Sequence, residues 1–181
     1  MIKNKDFSQI IKKIKLLVSD VDGVLTDGKI LIHSDNTESK FFNVEDATGA
    51  ALAFYGNLPI ALISGRFSNA TTIRAKELNI TYCYQGVLNK RKKIYELMKR
   101  YSVSLNEIAY IGDSLVDVPV LEEVGFPITV PNAHESAKKV ALYQTIKSGG
   151  EGVLFEVVEK IFSEQNKYVE VLNIMKRKKF D

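Results

Sequence analysis

The sequence has little of what several common functions require. Its one cysteine, Cys83, leaves no internal disulfide and no zinc knuckle; the residue reads as part of a short buried strand. The two histidines, His33 and His134, have no partner at metal-ligand spacing and read as surface residues. No apolar run is long enough to cross a bilayer, and the opening MIKNKDFSQ lacks the apolar core of a signal peptide, so a cytoplasmic protein is expected. Charge of one sign is also scarce. A net +3 is too small and dispersed to indicate nucleic acid, and Lys176-Arg177-Lys178-Lys179 reads as cations closing a helix. No internal repeat or low-complexity linker divides the chain, so its 181 residues are expected to form one domain, 1–181.

What is present is an alternation of two periods. Phe7, Ile10, Ile11 and Ile14 share a helical face, and 15–19 then reads as a strand. KILIH (29–33) and KFFNV (40–44) flank the polar SDNTES, which predicts a β-hairpin over 29–44. Helices are expected near 46–55, 69–78 and 116–124, and on the face of Ile94, Leu97, Met98 and Tyr101. Strands are expected at 59–63, 81–84, 108–111 and 127–130. The glycine turn 149–152 precedes a helix carrying Val153 to Phe162, and 163–181 reads as a C-terminal helix and tail.

Strands alternating with helices imply an α/β fold with a mostly parallel sheet, and such sheets bind ligands beyond the carboxyl ends of their strands. LLVSD, IALIS and IAYIGD end in Asp20, Ser64 and Asp113, so three polar residues distant in sequence are expected at one edge. Asp20, Asp22 and Asp27 crowd into SDVDGVLTDG, where like charges repel unless a cation lies among them. Oxygen ligands without a soft partner suit Mg²⁺, and Val24 and Leu25 exclude an EF-hand loop. Adding Ser64 and Lys90 gives the parts of phosphoryl transfer: a carboxylate nucleophile, a second carboxylate for the proton, and a hydroxyl and an ammonium for phosphate oxygens. Gly23, lacking Cβ, would let backbone N–H groups approach the phosphate.

In order and spacing, DVDGVLTDG (20–28), ISGR (63–66), YQGVLNK (84–90) and YIGDSLVD (110–117) resemble the four motifs of the haloacid dehalogenase superfamily. FNVED (42–46) and GGEG (149–152) are similar to the family of 3-deoxy-D-manno-octulosonate 8-phosphate phosphatases, and the resemblance spans about 15–162. It implies a three-layer Rossmann-like fold with a hairpin flap and no large cap domain. It makes Asp20 the nucleophile and Asp22 the acid and base, with Ser64 and Lys90 on the phosphate. Mg²⁺ would be held by Asp20, the Asp22 carbonyl and Asp113, with Ser114 and Asp117 supporting that shell from behind. Asp117, i+4 from Asp113, is expected on the same helical face.

Around the substrate the resemblance places Asp27, Asn43, Asp46, Gly65 and Arg66. Asp27 reads equally as the start of an Asp-Gly turn, and Arg66 as a surface residue opening a helix. An arginine at 66 suits the carboxylate of an eight-carbon sugar acid, whereas relatives acting on nine-carbon acids resemble the pattern with an acid there. Two departures stand out: Ser114 in place of a second Asp after Gly-Asp, and Ala47 in place of the usual Gly or Ser. The resemblance further implies a homotetramer in which the hairpin and a C-terminal segment of neighbouring subunits close the site, the glycines 149–152 letting the segment approach; alternatively those glycines only end a loop. A non-catalytic oligomeric scaffold is the rival class, with no use for the acid, hydroxyl and lysine set.

Overall fold

The computed structural model describes residues 7–179; most of the amino-terminal stretch MIKNKDFSQ and the last two residues of the expected tail lie outside them. Six short strands form one parallel sheet in the order β5-β4-β1-β6-β7-β8. They are β1 (Leu16–Ser19), β4 (Ile60–Ile63), β5 (Tyr82–Tyr84), β6 (Ile108–Ile111), β7 (Phe126–Thr129) and β8 (Tyr143–Gln144). Every residue of β1, β4, β6 and β7 is buried, which is why these segments read as continuous apolar runs without alternation.

The helices are α1 (Ser8–Ile11), α2 (Glu45–Tyr55), α3 (Asn69–Glu77), α4 (Lys90–Tyr101), α5 (Val118–Leu121), α6 (Glu135–Val140), α7 (Val153–Glu164) and α8 (Tyr168–Lys179). Their contacts form two groups: α2 packs on α7 and α8 with α1 against α7, while α5 packs on α4 and α6. These are the two outer layers that right-handed crossovers produce. The chain leaves β1 toward β4 and β5, then returns to β6 on the other side of β1. That reversal places the end of β1 at the topological switch point, where such sheets bind ligands.

Four expectations change. The hairpin pairs β2 (Leu31–Ile32) with β3 (Glu38–Ser39), so the return arm lies at 38–39 and not at 40–44. The turn is tighter than its polar length suggested: Asn36 is left-handed at φ 66°, and Asp35 accepts from both the N–H and the hydroxyl of Thr37. The third helix of the expected set is only Val118–Leu121, because 113–117 wraps around the Asp117 carboxylate before a helix can start. Asp113 and Asp117 therefore do not share a helical face. Finally, α6 and β8 fill the stretch between 130 and 149, where too few apolar residues recur to show a period.

Candidate active site

The site begins where β1 ends. Asp20 continues the ladder through its N–H to the Ile111 carbonyl at 2.9 Å, which fixes its backbone between β1 and β6. Its Oδ1 accepts from the Val21 N–H at 2.6 Å, and its Oδ2 pairs with Lys90 Nζ at 2.9 Å. Lys90 is the first residue of α4, is 1% exposed, and also donates to Asp117 Oδ1 at 2.7 Å. Two of its three protons are thus committed and one remains for an incoming oxygen. Ser64 follows β4, the neighbour of β1, and lies at the same edge; its Oγ accepts from the Arg66 N–H.

Asp117 is the anchor of this arrangement. It takes hydrogen bonds from Lys90 and the Tyr110 hydroxyl on Oδ1, and from the N–H of Asp113, the N–H of Ser114 and the Ser114 hydroxyl on Oδ2. Burial pushes its pKa up, but Lys90 and these donors outweigh burial and hold it below the usual carboxylate range. Asp20, with two donors, goes the other way: burial, reinforced by Asp117 and Asp113 and opposed by Lys90, pushes it up to about 8. Asp113 is likewise pushed up to about 6 by burial and Asp117. Burial alone would lower Lys90, yet Asp20 and Asp117 raise it.

Asp20, Asp113 and Asp117 each offer an oxygen within 4.8 Å of the others. Asp117 has both oxygens saturated by donors, whereas Asp113 Oδ1 is buried with no partner at all. An unpartnered carboxylate oxygen facing other carboxylates, all hard ligands, fits a divalent cation such as Mg²⁺ between Asp20 and Asp113. The space is shaped for it: Gly23 has φ +90°, and a Cβ there would stand 2.2 Å from Asp113 Oδ2. Gly23 is thus demanded by both its backbone and the Asp113 carboxylate.

The wall behind this loop comes from the far end of the chain. Gly150 N–H donates to the Val24 carbonyl at 3.0 Å, and Asn132 bridges the Gly23 carbonyl (3.0 Å) and the Gly149 N–H (2.7 Å). A Cβ on Gly149 would meet the Gly23 carbonyl oxygen at 1.9 Å, so the glycine run exists for close backbone contact with the acid loop.

The expected substrate residues scatter more widely. Arg66 is half exposed and pairs with Glu38 of the hairpin at 3.0 Å. Gly65 beside it leaves its surroundings open except for Leu88. Asp27 is exposed and occupied by Lys29, accepting its N–H at 2.9 Å and pairing with its Nζ at 3.2 Å. Asn43 accepts from the Glu45 N–H and donates to the Gly150 carbonyl, so it ties the start of α2 to the glycine run. Asp46 is 1% exposed and accepts the Leu154 N–H of α7, a capping position in the interior; burial pushes it up to about 6.

Sequence patterns did not single out Lys40, Tyr110 or Asn132. Lys40 Nζ donates to Asp22 Oδ1 at 2.6 Å. Tyr110 lies inside an apolar strand run and Asn132 in an irregular loop, so neither carries a local signal. A cavity of about 430 Å³ beside Lys90, lined by Leu88, Asn89, Arg91, Val116 and Pro119, opens at this same edge. A smaller apolar cleft of about 200 Å³ around Phe54, Leu58 and Tyr101 includes Pro59 and Ile60 at the opposite end of β4.

The family model for haloacid dehalogenase-like hydrolases matches residues 60–157. The chain is 37% identical to the 3-deoxy-D-manno-octulosonate 8-phosphate phosphatase of Escherichia coli K12 over 156 residues, 86% of this chain and 83% of that protein. Its fold matches a Moraxella catarrhalis 3-deoxy-D-manno-octulosonate 8-phosphate phosphatase solved with magnesium, phosphate and the free sugar acid (TM-score 0.89, 39% identity, 93% and 97% of the two chains). It also matches the cobalt-bound phosphatase of Haemophilus influenzae (TM-score 0.86, 30% identity, 91% and 99%).

Proposed function

This chain belongs to the 3-deoxy-D-manno-octulosonate 8-phosphate phosphatases within the haloacid dehalogenase-like hydrolases, and on that premise we propose how its own residues remove phosphate from that sugar acid. The observation that carries the proposal is the meeting of Asp20, Lys90, Asp113 and Asp117 at the end of β1, with Asp22 two residues on. Mg²⁺ would be held by Asp20, the Asp22 carbonyl and Asp113, and when bound would supply positive charge that offsets the phosphate and the clustered carboxylates. Asp20 attacks phosphorus, and the phosphorus–sugar oxygen bond breaks as Asp22 gives that oxygen its proton. Asp22 then takes a proton from water as the water adds to phosphorus and releases Asp20. The third proton of Lys90 and the Ser64 hydroxyl hold phosphate oxygens, while Asp117 keeps Lys90 aimed and Ser114 locks Asp117.

Arg66, beside Gly65, recognises the substrate carboxylate with the same guanidinium that pairs with the Glu38 carboxylate, and Asp27 meets hydroxyl groups of the sugar. The phosphatase works as a cytoplasmic homotetramer in lipopolysaccharide sugar synthesis. Large apolar side chains exposed around the site, Ile32 (72%), Phe41 (77%), Val44 (80%) and Phe67 (73%), support closure by neighbouring copies. No helix among the described residues is long and apolar enough to cross a membrane.

The decisive experiment is phosphate release, with and without Mg²⁺, from eight-carbon and nine-carbon keto-deoxy sugar phosphates and hexose phosphates. Preference for the eight-carbon compound is expected. Preference for a nine-carbon acid would move the substrate and keep the chemistry, and release from none would restore the scaffold reading.

A further inference from the structure

Asp22 is met by a side chain from outside the strand-end motifs. Lys40, directly after β3, sends its ammonium inward to donate to Asp22 Oδ1 at 2.6 Å and to Thr71 Oγ1 of α3 at 3.4 Å, with Glu38 Oε1 at 3.8 Å. The Lys40 side chain is 0% exposed and that of Asp22 19%. A lysine charge is buried only at a large desolvation penalty, and a short bond to a carboxylate is what offsets it. The ammonium is also braced from two sides, by the hairpin that carries it and by α3 through Thr71, so it has a fixed position from which to hold its partner.

The two oxygens of Asp22 are unlike. Oδ1 is taken by Lys40, whereas Oδ2 is buried and has no partner. A carboxyl group held at one oxygen cannot turn freely about its terminal torsion, and its other oxygen then points in one direction. We propose that Lys40 is a positioning residue for Asp22, clamping Oδ1 so that Oδ2 is presented to the oxygen that leaves phosphorus. This rests on the reading of Asp22 as proton donor and acceptor.

The step balances as follows. The proton on Oδ2 moves to the bridging oxygen as its bond to phosphorus breaks and the Asp20 oxygen–phosphorus bond forms. In the second half Oδ2 takes a proton from water as water adds to phosphorus and Asp20 departs. Lys40 gains and loses nothing. Because Lys40 rides on the hairpin, seating of the hairpin and correct aim of the acid become one event.

The test uses Lys40→Met in the full chain with Mg²⁺, a change that keeps the stem and removes the ammonium. kcat/KM reports steps through departure of the alcohol, so it is measured on the eight-carbon sugar-acid phosphate, on propyl phosphate and on 4-nitrophenyl phosphate. The last leaving group departs without a proton. Loss of aim should lower kcat/KM by about tenfold to a hundredfold on both alkyl esters, and by less than about threefold on the aryl ester. Lys40→Arg, which keeps a donor, should recover part of the loss on the alkyl esters. Equal loss on all three substrates would make Lys40 a structural residue, and loss confined to the sugar acid would make it a substrate contact; either overturns the proposal. Wild-type release from none of the three removes the phosphatase reading itself, and this role with it. Should Lys40→Met fold poorly, the arginine variant alone decides, since a structural role predicts no dependence on leaving group.

Discussion

At the amino end of β6, Glu107 meets Lys15 on the surface at 2.5 Å; at the carboxyl end of β1, Asp20 meets Lys90 in the interior at 2.9 Å. The pairs have the same chemistry and nearly the same reach. The Lys15 ammonium and the Ser104 donors of a capping box pull Glu107 down to about 2, whereas burial and two neighbouring acids push Asp20 up to about 8 despite its lysine. An ion pair therefore does not by itself set a carboxyl group. At Glu107 the Lys15 and Ser104 donors outweigh the small loss of solvent, while at Asp20 the removal of water outweighs the lysine, leaving a site that favours any cation able to enter it. One end of the sheet is settled electrostatically and the other is held in deficit by its fold.

The sharpest break of that contrast is Asp20→Asn. It should lower turnover by at least about 10⁴-fold, while the thermal midpoint measured without Mg²⁺ stays level or rises, because a carboxylate crowded by others has been neutralised. A fall in both would mean that Asp20 holds the fold as well as the chemistry. Next in size is Asp117→Ala, which strips Lys90 and the buried Tyr110 hydroxyl of a shared partner. Unfolding by denaturant should show a loss of about 3–5 kcal/mol. Glu107→Ala, at the surface end, should move the same midpoint only slightly, and about 1 M salt should erase the difference.

Mg²⁺ sharpens the comparison from the other side. At a hundred times its dissociation constant it should raise stability by about 2.7 kcal/mol with no substrate present, and Asp113→Asn should abolish that rise. An undiminished rise in Asp113→Asn would place the cation elsewhere.

Asp46, a carboxyl group buried between α2 and α7, also differs from Glu107 in the sign of its pH dependence. Its folded pKa of about 6 lies above the ordinary 3.8, so its contribution is complete below about 3.8 and is lost as pH rises through about 6. About two units correspond to a loss on the order of 3 kcal/mol. Asp46→Asn should flatten the stability curve over that window. Glu107 has the opposite sign: its contribution is present above about 4.5 and is lost as pH falls through about 2, so the two windows meet only between about 3.8 and 4.5.

Asp20, Ser64 and Asp113 were legible in the sequence because each ends an apolar run, and a parallel sheet aligns such ends whatever its side chains. The layered fold followed from the same runs. Asp117 was legible as a support but not its geometry, since its five donors exist only once 113–117 has curled around it. Lys40 could not be picked out, being one of 25 lysines and arginines, made relevant by a hairpin whose return arm lies two residues earlier than its apolar pattern suggested. Asn43 and Asp46 show the limit of motif transfer. The motif locates them, but the hydrogen bonds to Gly150 and Leu154 show them stitching α2 to the glycine run and α7.

Gly149 and Gly150 have a consequence for how the protein comes into being. A ribosome adds about 5–20 residues per second, so the acid loop of residues 20–28 emerges many seconds before the glycines that back it. Until then the Val24 carbonyl lacks the Gly150 N–H that holds it. A nascent chain thus carries its acids well before it carries the backbone wall behind them.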